Sequence, residues 1–399
     1  MRFAFADCEL DLDAHVLRMA GDEVRVEPQV FDLIACLVLA RGRLLSYEDL
    51  MTEVWRGRIV SDATIASRIS MARKAVGDDG KRQSVIRTVS RCGVQLAVPV
   101  TELPGTMQSG MTATSDDEKH NQTIRYTKSR DGTGVAWAEC GEGPVLLRAG
   151  YWLGHLEHEW SSLVWRPLLD RLSSGRRLVR YDPRGTGLSD RQLNGATVEQ
   201  LVDDMEAVAD AASLETFPVF AMSQSVPVAL ALAARRPERV SRLILLNGFV
   251  QGSTVRGEIE KTETFVGMIR AGWGVPGSAF MRALATVYIP NSTSVELNSL
   301  VQMQVLSATA DVAVELRQII GRIDVRHCLE QVECPTLVVH FSGDQVQPSE
   351  QSRIMAQKLK SVEFHLMESQ NHILIPSDPI WAICHDEIDR FLALGNAGP

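Results

Sequence analysis

One six-residue segment, Phe220 to Ser225, constrains the fold of this chain more than any other. It ends an apolar run that predicts a strand, and it leads into a helical pattern. Ala221 and Ser225 are small and flank Ser223 two positions away on either side, as a sharp strand-to-helix turn requires. Such a turn lifts the hydroxyl out of the sheet and aims the Gln224 N–H, at the positive end of the helix, at an incoming oxyanion.

The same alternation of strand and helix extends over residues 124–399. Continuous apolar runs separated by helical patterns indicate strands covered by helices, and so a mostly parallel, doubly wound sheet. The predicted strands include residues 145–147, 178–181, 219–221, 243–246, 337–339 and 364–366.

Two further polar residues follow predicted strands. Asp344 comes shortly after residues 336–341, and His372 comes shortly after residues 363–367. Together with Ser223 they supply a nucleophile, a general base and a carboxylate that orients the base. Taken singly, Ser223 would be a helix-cap serine and His372 a surface histidine. The prediction therefore depends on their joint placement at strand ends.

The chain order Ser, Asp, His resembles that of the α/β-hydrolase superfamily, over about residues 128–395. The other matching segments are Ala149-Gly150, the run from Tyr181 to Asp190, and Pro335-Thr336-Leu337. The resemblance implies that the three residues form a catalytic triad. It also implies that the Tyr151 N–H is the second oxyanion donor beside that of Gln224.

Three positions depart from the pattern of that superfamily. Its usual His-Gly pair is Ala149-Gly150, and its G-x-S-x-G turn is A-x-S-x-S. Val226-Pro227 stands where the family has a glycine and a small residue, so Val226 is expected to add bulk behind the nucleophile and narrow the acyl pocket. The sequence predicts a triad that assembles and leaves turnover open, as in a slow serine hydrolase.

Residues of about 249–327 form an insertion rich in methionine and aromatic side chains. Its position predicts a helical cap and a mainly hydrophobic pocket for a small apolar or amphipathic ligand, although the same residues would also build the cap's own core. His155, Glu157 and His158 do not have a spacing that fixes metal geometry. We expect them on a helix that lines the pocket, with no metal and no cofactor.

The first hundred residues contain a second informative pattern, a helix with one apolar face and one polar, basic face. Ile65, Ile69, Ala72 and Val76 recur at helical spacing, from the N-cap candidate Ser61 to Gly77. The opposite face presents short polar and basic side chains suited to bases and phosphates, namely Thr64, Ser67, Arg68, Met71 and Lys74. Residues 54–100 carry a net charge of +6 in a chain of −9, which fits either a phosphate-binding face or an ordinary solvated surface.

This pattern resembles the OmpR/PhoB-type winged-helix DNA-binding domain, in particular that of ToxR-like regulators, over nearly all of residues 1–100. The matching segments are Leu44-Leu45-Ser46, Val54-Trp55, the run from Val60 to Gly77, and Val85 to Val89. The resemblance implies that the third helix enters the major groove and that the wing touches the neighbouring groove or phosphates. By matching position it adds four residues to the DNA-binding set, which are Arg73, Thr88, Ser90 and Arg91. Met71 stands where the family usually has a basic residue, and Val94 replaces an aromatic.

The sequence predicts a winged helix at 1–100, a flexible linker at 101–123 and a hydrolase-like domain at 124–399. The longest apolar stretch, residues 226–234, is far shorter than the ~20 residues that span a bilayer. Acidic residues precede any apolar run at the N-terminus, so no signal peptide is expected. The seven cysteines form no C-x-x-C pair and predict free thiols. We expect a cytosolic protein.

These features favour a one-component transcription regulator that binds DNA and senses a small ligand, such as an ester or lactone, and that forms a homodimer. Two alternatives remain open. One is an esterase or lactonase with an accessory DNA-binding domain. The other is a DNA-binding protein whose inactive hydrolase domain serves only for dimerisation.

Overall fold

The computed structural model describes residues 2–12, 16–24, 26–55, 60, 62–89, 93–103, 122–275 and 278–394. The chain forms two compact units, Met1–Ala113 and Thr114–Pro399. They correspond to the predicted two-domain fold, an α+β winged helix followed by a mostly parallel sheet with a helical cap.

The first unit consists of a five-stranded antiparallel sheet, three helices and a hairpin. In chain order the elements are β1 (Arg2–Phe5), β2 (Cys8–Asp11), β3 (Val16–Met19), β4 (Asp22–Val24), α1 (Pro28–Leu39), α2 (Tyr47–Glu53), α3 (Asp62–Ala75), β5 (Ile86–Val89), β6 (Gly93–Leu96) and β7 (Val100–Leu103). The sheet order is β4-β3-β2-β1-β7, and β5 pairs with β6. Residues 101–103, predicted as linker, belong to β7, and Thr123, the last residue of the predicted linker, begins the first strand of the second unit. Residues 104–121 lie outside the described residues.

Local sequence explains these elements. Alternate residues of β1 are buried, so Phe3 and Phe5 face the helices while their neighbours face outward. The hydroxyl of Ser46 accepts the Asp49 N–H at 3.0 Å, and the Asp49 carboxylate accepts the Ser46 N–H at 2.8 Å, a capping box that starts α2. Val94 is buried and exchanges two backbone hydrogen bonds with Leu45, both of 2.8 Å.

The second unit has an eight-stranded sheet in the order β15-β14-β13-β12-β10-β11-β9-β8. Its strands are β8 (Thr123–Lys128), β9 (Gly134–Cys140), β10 (Val145–Arg148), β11 (Arg177–Tyr181), β12 (Phe217–Met222), β13 (Val240–Leu246), β14 (Thr336–Phe341) and β15 (Val362–Met367). β8 and β9 are antiparallel, and the other six strands are parallel, as predicted. The strand order reverses between β10 and β12, where a crevice opens at the carboxyl ends of the strands.

Helices cover both faces of this sheet, and four more form the cap. The covering helices are α4 (Leu156–Ser161), α5 (Arg166–Ser173), α6 (Val198–Ala211), α7 (Ser225–Arg235), α12 (Ser349–Lys358) and α13 (Trp381–Ala393). The cap helices are α8 (Ile259–Gly272), α9 (Ala279–Tyr288), α10 (Ser294–Ser307) and α11 (Ala310–Arg322). Among the described residues, no helix has the length and apolar character needed to cross a membrane.

Candidate functional site

Ser223 occupies the turn between β12 and α7 in a strained conformation. Its φ is +55°, a left-handed value that is uncommon for a residue with a side chain. The Ser225 hydroxyl accepts the Met222 N–H at 2.9 Å and donates to the Met222 carbonyl at 2.8 Å. The Ser223 N–H donates to the Leu246 carbonyl at 2.9 Å. These bonds hold the turn, and they give Ser225 a function that a glycine at this position could not supply.

The bulk of Val226 is accommodated away from the nucleophile. Gly248, just after β13, lies against it, and a Cβ on Gly248 would come within 2.4–2.5 Å of three Val226 side-chain atoms. Val226 is fully buried and does not line the cavity beside Ser223. The expected narrowing of the acyl pocket therefore does not occur, because the glycine provides the space.

Asp344 and His372 are in contact. His372 Nδ1 and Asp344 Oδ2 are 2.7 Å apart, and both side chains are fully buried. The second oxygen of Asp344 accepts the Val346 N–H at 2.7 Å, which orients the carboxylate. With Nδ1 donating to the carboxylate, Nε2 is left as the acceptor, and it has no hydrogen-bond partner in the described part of the chain. It is thus free to accept a proton.

Two residues that the sequence analysis missed hold the histidine loop. The buried Asn247 donates from Nδ2 to the His372 carbonyl at 2.8 Å, and its Oδ1 accepts the Phe341 N–H at 2.8 Å. The Tyr288 carbonyl, at the end of cap helix α9, accepts the His372 N–H at 2.8 Å. Asn247 therefore ties the ends of β13 and β14 to the histidine, and Tyr288 ties the histidine to the cap.

Tyr151 and Gln224 follow adjacent parallel strands, β10 and β12. The Ala149 N–H donates to the Phe220 carbonyl at 2.8 Å and extends that pairing up to the site. Within the described residues, neither the Tyr151 nor the Gln224 backbone N–H has an acceptor. Both atoms of the buried Gln224 side-chain amide also lack partners there. Two backbone donors that follow adjacent strands are consequently unused, and of these two residues Gln224 lines the cavity with Ser223 whereas Tyr151 does not.

A cavity of about 340 Å³ lies between this site and the cap. Ser223, Gln224 and Trp152 line it from the sheet side, and Phe265, Phe280, Leu284, Tyr288 and Ile320 from the cap. Burial raises the pKa of Tyr288 to about 12. The predicted apolar pocket under a helical cap is present, with charged side chains on its cap side.

Other predicted residues lie outside the cavity. Asp182 accepts the N–H groups of Leu156 and Leu188, at 3.1 and 2.9 Å, and burial raises its pKa to about 7. It therefore joins the start of α4 to the loop that follows β11, and it does not line the cavity. His155, Glu157 and His158 belong to α4 and its N-cap, and the two imidazole rings lie 4.3 Å apart. Contrary to expectation, none of these three lines the cavity, and α4 contacts α5, α10 and β9.

In the first unit, α3 presents the predicted polar face. Ile65, Ile69 and Ala72 are buried. On the other face Ser67 and Lys74 are exposed, and Thr64, Arg68 and Met71 are partly exposed. Arg68 forms an ion pair of 2.7 Å with Glu27. Ser70, which the sequence analysis passed over, is also exposed here.

Arg73 differs from its predicted DNA-contacting position. It is buried, its Nε donates to the Ile86 carbonyl at 2.9 Å, and its Nη2 donates to the Thr88 hydroxyl at 2.7 Å. These bonds join α3 to the first strand of the wing and occupy Thr88 as well. Ser90 and Arg91, at the wing tip, lie outside the described residues.

Comparison with known families matches both units. The model for the "alpha/beta hydrolase fold" covers residues 144–379, and that for "Transcriptional regulatory protein, C terminal" covers residues 21–96.

Several individual proteins resemble part of the chain. Pyrrolizixenacetamide deacetylase of Xenorhabdus hominickii is 26% identical over 235 residues, which make up 58% of this chain and 85% of that protein. The 2-hydroxymuconate semialdehyde hydrolase of Pseudomonas sp. (strain CF600) is 26% identical over 219 residues, 52% of this chain and 74% of that one. The solved enol-lactonase from Burkholderia xenovorans LB400 has a TM-score of 0.54 at 23% identity, over 67% of this chain and 100% of that chain.

Proposed function

Because the chain belongs to the alpha/beta hydrolase family and carries a regulator-type DNA-binding domain in the same polypeptide, we propose that it is a ligand-responsive, one-component transcription regulator. The fusion itself carries this proposal. An enzyme that acts only on small molecules does not need a DNA-binding domain. A regulator does, because occupancy of its small-molecule site can change the binding of that domain to DNA.

The ligand that acts as the signal binds in the capped cavity. An ester, lactone or amide carbonyl lies beside Ser223, with its oxygen at the Tyr151 and Gln224 N–H groups and His372 as the base. The free Nε2 and the two unused N–H groups support this placement. Two relatives are named for hydrolysis, as a deacetylase and a semialdehyde hydrolase, which supports an acyl-type ligand. Slow cleavage of the ligand ends the signal.

Helix α3 makes the contacts with DNA. Ser67, Arg68 and Lys74 face DNA in the major groove, and two copies of the chain bind repeated half-sites, as winged helices of this type commonly do. Arg68 exchanges its ion pair with Glu27 for a base or phosphate on binding. A ligand changes this binding only as far as it prefers one of two conformational states of the protein. The regulator acts in the cytosol, where its DNA is.

A promoter-reporter experiment tests the proposal. Genomic fragments selected on the purified chain give an operator, which is placed before a reporter and exposed to a panel of esters and lactones. The expected result is at least one compound that changes expression several-fold with the wild-type chain. The Ser223→Ala chain should give a response that persists, because the signal is no longer cleaved. An operator that never responds while the cavity is occupied contradicts ligand sensing.

An esterase or lactonase with an accessory DNA-binding domain is the second candidate. The Asp344–His372 contact of 2.7 Å favours it, since a receptor that never cleaves its ligand has no need of an oriented base. Rapid turnover of an ester, together with the absence of any selected operator, would support this alternative.

A further inference from the structure

Arg317, in cap helix α11, faces the cavity that holds Ser223. Its side chain is partly buried, and its Nη2 donates to the Ser253 hydroxyl at 3.2 Å. The guanidinium carbon lies 5.3 Å from the centre of the Phe265 ring. Across the described residues, Arg317 has no carboxylate within ion-pair distance. A guanidinium has five N–H donors, so most of its hydrogen-bonding capacity is unused.

Of the residues that the structure describes, the one carboxylate on this wall of the cavity, Glu258, interacts with Arg317 only at a distance, because it is ion-paired with two other cations. Arg256, Glu258 and Lys261 also line the cavity. Glu258 already accepts from Arg256 at 2.9 Å and lies 3.6 Å from Lys261, and its hydrogen bond with Arg256 lowers its pKa. Among the described residues, three cations therefore share one carboxylate on this wall, and Arg317 is the one of the three that has no carboxylate within ion-pair distance.

A buried cation that has no anion beside it in an apolar wall is unfavourable, and a bound anion would remove that cost. Phe265, Phe280, Leu284 and Ile320 surround this part of the cavity. Burial lowers the pKa of Arg317, but an arginine still stays charged. The planar fork of a guanidinium matches a carboxylate through two parallel hydrogen bonds, and it binds an anion most strongly where water is largely excluded.

We propose that the ligand of the cavity carries a free carboxylate that binds Arg317, at the end away from the ester, lactone or amide carbonyl beside Ser223. The ligand is thus a half-ester, a lactone or an amide that bears an acid, not a purely apolar compound. This inference rests on the proposed function in one respect, since that function places the carbonyl at Ser223.

Binding to the uncleaving Ser223→Ala full chain provides the test. The probes are the monomethyl esters of straight-chain diacids from succinate to suberate, and the neutral comparison for glutarate monomethyl ester is methyl pentanoate. We expect at least one half-ester to bind about 10- to 100-fold more tightly than its neutral counterpart, as for a charge-assisted hydrogen-bonded pair. Isothermal titration calorimetry measures both affinities.

Variants at Arg317 locate the effect. Arg317→Met, made in the Ser223→Ala chain, should abolish the preference for the half-ester and leave the binding of methyl pentanoate unchanged. Arg317→Lys should retain part of the preference, because it keeps the charge without the fork. The matched control is Arg270→Met on the exposed part of α8, which does not line the cavity and should change neither affinity.

The outcomes separate this inference from the proposed function. Equal affinities for half-esters and neutral esters, or a preference that survives Arg317→Met, would overturn the carboxylate subsite even if esters regulate the reporter. A preference that depends on Arg317 supports the subsite even if no compound affects DNA binding, in which case the regulator proposal fails. If Arg317→Met does not fold, as judged by circular dichroism, Arg317→Lys and the two probe series on the parent chain decide the question.

Discussion

At the residue scale, the site depends on pairs of residues whose compatibility is visible only in three dimensions. Val226 departs from the family pattern, and Gly248, in the loop after β13, makes room for it. Nothing in the local sequence joins positions 226 and 248. The contact of Asp344 with His372 could be predicted because each of these residues follows a strand. The pairing of Val226 with Gly248 could not, because it arises between helix α7 and the loop that follows β13.

Gly248→Ala tests that pairing. The new methyl group would overlap Val226, so we expect the free energy of unfolding to fall by about 1–3 kcal/mol, as for an overpacked core. Adding Val226→Ala should recover most of this loss. Urea denaturation of the two single variants and the double variant measures the coupling. Additive effects would show that the two positions are not in contact.

Asn247→Ala tests the support of the histidine loop. The variant removes the hydrogen bonds to the His372 carbonyl and the Phe341 N–H, so the base should be less well placed. We expect the rate at which a fluorophosphonate labels Ser223 to fall about tenfold, a loss of the size expected for one hydrogen bond. Labelling is followed by mass spectrometry, with Ser223→Ala as the unlabelled control. An unchanged labelling rate in a folded variant would contradict a positioning role for Asn247.

His385, in α13, should make stability depend on pH. It is buried, neither ring nitrogen has a partner among the described residues, and burial lowers its pKa to about 4. The unfolded chain takes up this proton near pH 6.5 and the folded chain only near pH 4, so stability falls as pH drops between these values. At pH 5 the contribution lost is about 2 kcal/mol.

The variant His385→Phe keeps the ring packing against Trp381 and should remove this part of the pH dependence. Its stability relative to the wild type should rise by about 2 kcal/mol between pH 7 and pH 5, measured by urea denaturation at each pH. Parallel stability curves for the two proteins would contradict the buried neutral histidine.

At the element scale, helical periodicity predicted which face of α3 is buried but not where its long side chains reach. Arg73 lies beside the buried stripe of Ile65, Ile69 and Ala72, and its guanidinium extends to the wing strand β5. The partner atoms, the Ile86 carbonyl and the Thr88 hydroxyl, are brought there by the tertiary fold. The same limit applies to Arg317, which lies in a cap whose sequence has no motif to mark it.

A matched pair of variants in α3 separates structure from DNA contact. Arg73→Met should lower the stability of the first unit by about 1–3 kcal/mol, because it leaves buried acceptors unpaired. Lys74→Met, at an exposed position one residue away, should leave stability unchanged and weaken DNA binding. The slope of log affinity against log salt concentration should become less steep by about one unit, as for the loss of one phosphate contact. Thermal unfolding and fluorescence anisotropy at several salt concentrations measure the two effects. A stable Arg73→Met variant that loses only DNA affinity would contradict the structural role.

At the scale of the whole molecule, sequence motifs predicted both domains of the chain, and the family matches confirm them. Each prediction depends on locally encoded elements: three strand ends for the proposed triad and one helix for the proposed DNA contact. The carboxylate proposed for the ligand was not evident from the sequence, because it depends on which cation among the described residues of the cavity has no carboxylate nearby. The central claim concerns the coupling of the two units, which neither unit contains alone.

The most direct test is the affinity of the full-length chain for its selected operator before and after a fluorophosphonate occupies Ser223. We expect a change of about fivefold or more, in either direction, since allosteric couplings commonly reach this size. The Ser223→Ala chain, treated in the same way, should show no change. Complete labelling of Ser223 with an unaltered operator affinity would contradict a sensor in which the hydrolase cavity controls DNA binding.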